Sequence, residues 1–332
     1  MTAGGACTGV GPGSDEGGGQ PPGGHIVFDL PSNIRFDSAS HPGTLRVSYV
    51  NLPAGPKDEA AVLKDPLDLW GAAWALNRQE APGVVDVRPP RALSRARLRT
   101  LVLRMDALQE CLEGIEFRLD GTTRFRQEAD EIRRDIRSGL LFTFDRTNLH
   151  RGARSAKPAA PAGVQAHVVQ HGKKFLQGAL PHRFLLQFPA QVFKTSLADQ
   201  NRATTRFWID LLGADKEGRL SVILTDAPGP VSLDVFAEGL DGAIFCREFR
   251  SHVARNWLPE VTSERIAMYL VSDRFHPALQ ANGDAPQALT RRLRASDWLD
   301  VILVQVDSAG LPQNLSERIV FPVPVPPIDG VA

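Results

Sequence analysis

The chain has 332 residues, 42% of them apolar and 23% charged, and a formal net charge of zero. These are the proportions of a globular chain long enough to bury one large core or two ordinary ones. A neutral total gives no whole-molecule field toward nucleic acid or an anionic membrane, and every apolar run is far shorter than the roughly 20 residues a membrane helix needs.

Residues 1–24 are dominated by glycine, with Pro21 and Pro22 near the end, and lack the basic and apolar regions of a signal peptide. Such a segment buries too little apolar surface to offset its ordering entropy, so a disordered tail is expected. Residues 26–30 and 44–50 are strand candidates. In the second, Leu45, Val47 and Tyr49 share a face by alternation. Asp65-Pro66 then opens a helix in which Leu67, Trp70, Gly71 and Trp74 form one face. Two tryptophans at that spacing are more often a packed stripe than a ligand platform.

The spacing of Leu98, Leu101, Val102, Met105, Leu108 and Leu112 predicts a second helix from about Ser94, with Gly114 as its stop. Asp120-Gly121, between the alternating runs 115–119 and 122–126, predicts a hairpin. Residues 127–137 have a charged helical pattern, and 140–144 resemble another strand. Residues 147–163 combine Arg151, Arg154 and Lys157 with Pro158 and Pro161, the composition of a linker. From 164 to 325, short apolar runs alternate with turn residues. Runs 183–188, 220–224, 231–236, 266–271 and 301–306 all read as strands. The proline-rich stretch 321–327 is expected to be extended, and 326–332 to form a tail.

The strongest electrostatic feature is Arg88, Arg91, Arg95, Arg97, Arg99 and Arg104, with no acid between the first and last. Arg91, Arg95, Arg97 and Arg99 are the candidate anion- or nucleic-acid-binding residues, because guanidinium groups there would neutralise phosphates in a salt-sensitive way. Two observations weigh against that reading. Acids follow at Asp106, Glu110, Glu113 and Glu116, and cations at a helix start oppose the macrodipole. The chain also carries 31 arginines against seven lysines beside abundant Ala, Gly and Pro, the signature of a GC-rich coding sequence. A second basic group, His171-Gly172-Lys173-Lys174, reads more simply as a solvated loop than as an anion site.

Other chemistry finds little support. His167 and His171 are spaced i, i+4, but their surroundings alternate like a strand and no HExxH-type acid accompanies them, so no metal is expected. Cys7, Cys111 and Cys246 form no CxxC pair. A reducing, cytoplasmic setting is the expectation, with Cys246 a buried inert thiol rather than a nucleophile served by His252. His276 lies in an irregular stretch with nothing convergent around it. There is no GxSxG elbow, no Walker A sequence and no GxGxxG after a strand.

The fold expected is α+β: an N-terminal mixed helix/strand region over 25–146, a linker, then an antiparallel β-sandwich-like region over 164–325. The leading functional expectation is a non-enzymatic structural or interaction protein, a subunit of a larger assembly of virion, phage or secretion type. It would have protein partners or self-assembly, no transmembrane segment and no cofactor. The alternatives are a nucleic-acid-binding protein using the 88–104 arginine cluster, and an enzyme whose loop-built site cannot be read from spacing.

Overall fold

Two sheets with helices between them organise the chain. The structure, a computed structural model, describes residues 30–38, 42–50, 66–76, 83–91, 93–138, 184–190, 207–225, 230–272, 274–279, 289, 293, 297–306 and 317–320. The expected tails 1–24 and 326–332, the linker 147–163, the strand candidates 26–29 and 140–144, and His167 through Lys174 lie outside these residues.

The first sheet has the order β1-β2-β3-β4, with β1 at Ile34–Asp37, β2 at Thr44–Tyr49, β3 at Val84–Arg88 and β4 at Glu116–Leu119. β1 runs antiparallel to β2, whereas β2, β3 and β4 are mutually parallel. Alternation sets its two faces: Leu45, Val47, Val85, Val87 and Phe117 are buried, while Arg35, Arg46, Arg88 and Arg118 occupy the other side. The buried face receives helix α1, Leu67–Leu76. Gly71 permits the close approach, since a Cβ there would sit 2.7 Å from Val85 Cγ1. Both tryptophans of α1 are core residues. Trp74 stacks on Phe36 at 6.3 Å between centroids, and Trp70 meets the edge of His276 at 5.2 Å.

Helix α2, Arg95–Cys111, follows β3, and helix α3, Phe125–Arg137, follows β4. The Asp120-Gly121 turn forms, with positive φ at both residues (50° and 79°). The expected return strand does not: only the isolated Leu119–Thr122 bridge survives before α3 begins. Phe125 explains the difference, because with Ala129, Ile132 and Ile136 it completes a buried helical stripe.

The second sheet is six-stranded, ordered β12-β11-β9-β7-β6-β5. Its strands are β5 at Phe184–Ala190, β6 at Phe207–Ala214, β7 at Leu220–Thr225, β9 at Ile266–Ser272, β11 at Leu299–Val306 and β12 at Glu317–Val320. A two-stranded parallel ribbon, β8 at Pro230–Val231 with β10 at Arg274–Phe275, accompanies it. Here the antiparallel sandwich expectation needs correction. β7, β9 and β11 are parallel, and antiparallel pairing is confined to β6 on β7, β5 on β6 and β12 on β11. Helix α4, Leu233–Asn256, occupies two stretches that read as strands and turns, and it provides the crossover between β7 and β9.

Two features of α4 imitate strands and turns. Val231, Leu233 and Val235 alternate, yet Leu233, Phe236, Ala237, Leu240, Ala243 and Ile244 also form a helical stripe, and all six are buried. The Gly239 and Gly242 positions resemble turns, but both lie inside the helix. Gly239 lets the helix settle on the sheet, where a Cβ would stand 2.8 Å from Met268 Sδ and 3.3 Å from Leu224 and Leu270. The unbroken apolar runs of β7 and β9 match strands covered on both faces: every residue of β9 is buried.

α1 lies on the first sheet, α4 on the second, and α1, α2 and α3 all touch α4. The layering is therefore sheet, helices, sheet, and one hydrophobic cluster runs from Leu45 and Phe117 through Met105 and Phe236 to Met268. No described helix is long and apolar enough to cross a membrane.

Candidate interaction surfaces

The arginine run divides between three environments. Arg88 at the end of β3 is fixed by Asp86, 2.7 Å away, whose other oxygen accepts the Gly121 backbone N–H at 2.7 Å. Arg104, midway along α2, is buried among the helices. Its Nε and Nη2 donate to Asp68 of α1 at 2.6 and 2.9 Å, and Nη1 donates to Asp241 of α4 at 2.9 Å. Burial alone would depress the guanidinium, but Asp241 and Asp68 outweigh it and raise its pKa above the ordinary arginine value. Arg104 thus joins three helices and is structural.

Arg91 and Arg95 are exposed, and Arg97 and Arg99 are half-buried. The first turn of α2 carries no acid, and Ser94 makes no side-chain cap there. Partial burial lowers the pKa of Arg99, and Arg95, one turn back, lowers it further; Asp135 acts in the opposite direction. Of the four candidate anion-binding residues, Arg95 and Arg99 are thus brought into electrostatic contact as like charges. That arrangement is locally unfavourable at a helix start.

A different site was not apparent from spacing. An open cleft of about 820 Å³ lies between α3, α4 and the segments preceding β9 and β11. Five arginines and five carboxylates line it, together with Trp298. Its floor is α4. From there Glu248 accepts from Arg137 at 2.8 Å and faces Arg133 at 3.3 Å, while Arg247 reaches Glu110 at 2.7 Å and lies 4.6 Å over the Trp298 ring. Arg133 also pairs with Asp106 at 2.5 Å. The Asp106 pKa is raised because burial outweighs that arginine. Arg250, also of α4, reaches the opposite wall and donates to Glu264 at 3.1 Å and to the Ser263 carbonyl at 2.9 Å.

What remains at the mouth is charged and accessible. Arg134 is exposed, the Arg137 side chain is 65% exposed, and that of Glu264 is 91% exposed. Asp297 is exposed on the Glu264 side, next to the buried Trp298. Just beyond, Asp300 receives two bonds from Arg265 at 3.0 and 2.6 Å and one from Arg219 at 2.9 Å. Burial pushes that carboxyl up, but the two guanidinium groups more than reverse the effect and leave its pKa below the usual value. These arginine–acid links could only be glimpsed in the sequence, because partners such as Glu110 and Arg247 are 137 residues apart.

The remaining candidates have structural roles. Cys246 is fully buried and burial raises its thiol pKa, whereas His252 is exposed and packs edge-on against Trp257, so the two do not form a nucleophile–base pair. His276 accepts the Ala278 N–H through Nδ1 at 3.2 Å. Among the described residues no group of three or more His, Cys, Asp or Glu side chains is placed to hold a metal. Comparison with protein-family models, with curated proteins and with solved structures returns no match.

Proposed function

We propose that the chain is a non-enzymatic interaction protein, a subunit of a larger assembly, and that the charged cleft is its docking surface. The observation that carries this reading is the cleft's composition. Its floor is set by the internal pairs of Glu248 and Arg247, while Arg134, Arg137, Glu264 and Asp297 stay accessible around a mouth open to solvent. Walls fixed by ion pairs hold a defined shape, and exposed charges of both signs at the rim select and orient a partner more than they bind it tightly. The exposed guanidinium groups of Arg134 and Arg137 are of a type that interfaces favour.

The test is native purification of the full chain, with its mass measured by light scattering. Complexes heavier than the monomer, lost when Arg134 and Arg137 become Glu, are the expected result. A strict monomer at every concentration that retains no partner would overturn the reading.

A second reading is favoured by Arg91 and Arg95. Both are exposed at a helix start whose first turn carries no acid, where an anion would be favourably placed. Nucleic acid bound through Arg91, Arg95, Arg97 and Arg99 would show an affinity that falls steeply with salt and drops when all four become Ala. Absent or salt-independent binding removes this reading.

A further inference from the structure

We propose that the first sheet pairs edge to edge with a second copy of this chain through β1, about a twofold axis at Phe36. β1 takes no part in lining the cleft, so the two surfaces stand or fall separately. The two edges of the first sheet differ. At the β4 edge, Gln109 Oε1 accepts the Phe117 N–H at 2.7 Å and Gln109 Nε2 donates to the Ile115 carbonyl at 3.0 Å. Leu119 and Thr122 exchange backbone bonds of 2.8 and 3.1 Å beside it. The Gln109 amide thus stands where the peptide of an added strand would bind, and it guards that edge. At the β1 edge, the Val50 N–H donates to the Asn33 carbonyl at 2.8 Å. Residues 33, 35 and 37 therefore bond toward β2, and the backbone groups of Ile34 and Phe36 point outward. The Pro31 carbonyl accepts the Ile34 N–H at 3.2 Å, and among the described residues no bond reaches the Phe36 N–H or carbonyl.

Charge selects one register for self-pairing. With Phe36 opposite Phe36 of the other copy, each donates its N–H to the other's carbonyl, and Arg35 faces Asp37 twice across the seam. Arg35 is exposed and has no ion pair among the described residues. The Asp37 carboxylate has acceptor sites enough to receive it beside the contact Asp37 already makes. Shifting the register by two residues in either direction sets Arg35 against Arg35 or Asp37 against Asp37, and like charges directly opposite are destabilising. On the inner face the two Phe36 rings, each stacked on its own Trp74, become cross-strand neighbours. A four-residue strand offers few bonds, so the dissociation constant should be about 0.1–1 mM. The pairing is therefore silent at micromolar concentration. It acts between subunits already held in one assembly, where effective concentrations are on the order of millimolar.

Disulfide trapping tests the register directly. Positions 35 and 37 would form the non-bonded pair of the seam, where Cα atoms lie about 4.5 Å apart, within the reach of a disulfide. Cys111 and Cys246 are buried, and a Cys7→Ser background removes the remaining native thiol. In that background R35C mixed with D37C, concentrated and mildly oxidised, should give a covalent heterodimer, while each variant alone stays monomeric. Adding R134E/R137E to both should leave the yield unchanged. A mixture that does not cross-link, R35C or D37C cross-linking with itself as readily, or a yield abolished by R134E/R137E overturns the proposal. If a cysteine variant misfolds by circular dichroism, sedimentation of the concentrated Arg35→Asp chain applies the same test. That change sets acid against acid and should raise the dissociation constant at least about fivefold. An unchanged constant overturns the proposal. Failed trapping beside complexes that R134E/R137E still removes would overturn pairing at β1 and leave the cleft reading standing.

Discussion

Arg104 and Arg95 lie on the same helix, nine residues apart, and do opposite things. Arg104 has turned into the helical layer, where two carboxylates from distant parts of the chain fill its donors. Arg95 remains in solvent, with Arg99 as its like-charged neighbour. The difference teaches that a run of one charge is not one feature. Burial and partners decide which members hold the fold and which stay available to a ligand. The cleft repeats the lesson: Arg133, Arg137 and Arg247 are held there by carboxylates, while Arg134 faces outward.

The largest expected effect breaks the comparison at its buried end. Arg104→Met leaves Asp68 and Asp241 without their cation and should cost about 3–5 kcal/mol in chemical denaturation, while the apolar triple D68L/R104M/D241L recovers most of it. A loss below about 1 kcal/mol from the single change would remove Arg104 from its structural role. Next in size, Gly239→Ala drives a methyl into Met268, Leu224 and Leu270 and should cost about 1–3 kcal/mol. Unchanged stability would contradict the close seating of α4.

Asp300→Asn should cost less, about 1–2 kcal/mol near neutral pH, since it weakens charge-assisted bonds from two arginines. The sign with pH follows from its lowered native pKa. The stabilisation is fully present above the unfolded-state value of about 3.9 and fades as pH falls through the lower native value. The gap between parent and variant in denaturant titrations should therefore close in acid, and a gap that widens there would assign the cost to something else. The smallest effect belongs to Arg95→Ala with Arg99→Ala, which relieves like-charge repulsion at a helix start. Thermal stability should stay within about 0.5 kcal/mol or rise slightly. A clear loss would mean that this pair, like Arg104, is part of the fold.

Elements defined by local pattern were legible in the sequence: the tryptophan stripe of α1, the apolar face of α2, and the runs that became β7, β9 and β11. Strand direction was not. The crossover that makes those strands parallel is α4, whose glycines resemble turn residues until Met268 and Leu270 are seen packed against Gly239. Nor did the run 88–104 disclose which arginine was structural. Asp68 and Asp241 stand 36 and 137 residues from Arg104, and no spacing rule connects them. The cleft was hidden for the same reason, drawn as it is from α3, α4 and the residues before β11.

Hydrogen–deuterium exchange on the full chain, dilute and concentrated at low salt, tests the central claim most directly. The account predicts that assembly slows exchange around residues 133–138 of α3 and around 263–265 and 297–298 across the cleft, while residues 91–99 exchange at an unchanged rate. Protection confined to other surfaces, with the cleft unaffected by concentration, would contradict it.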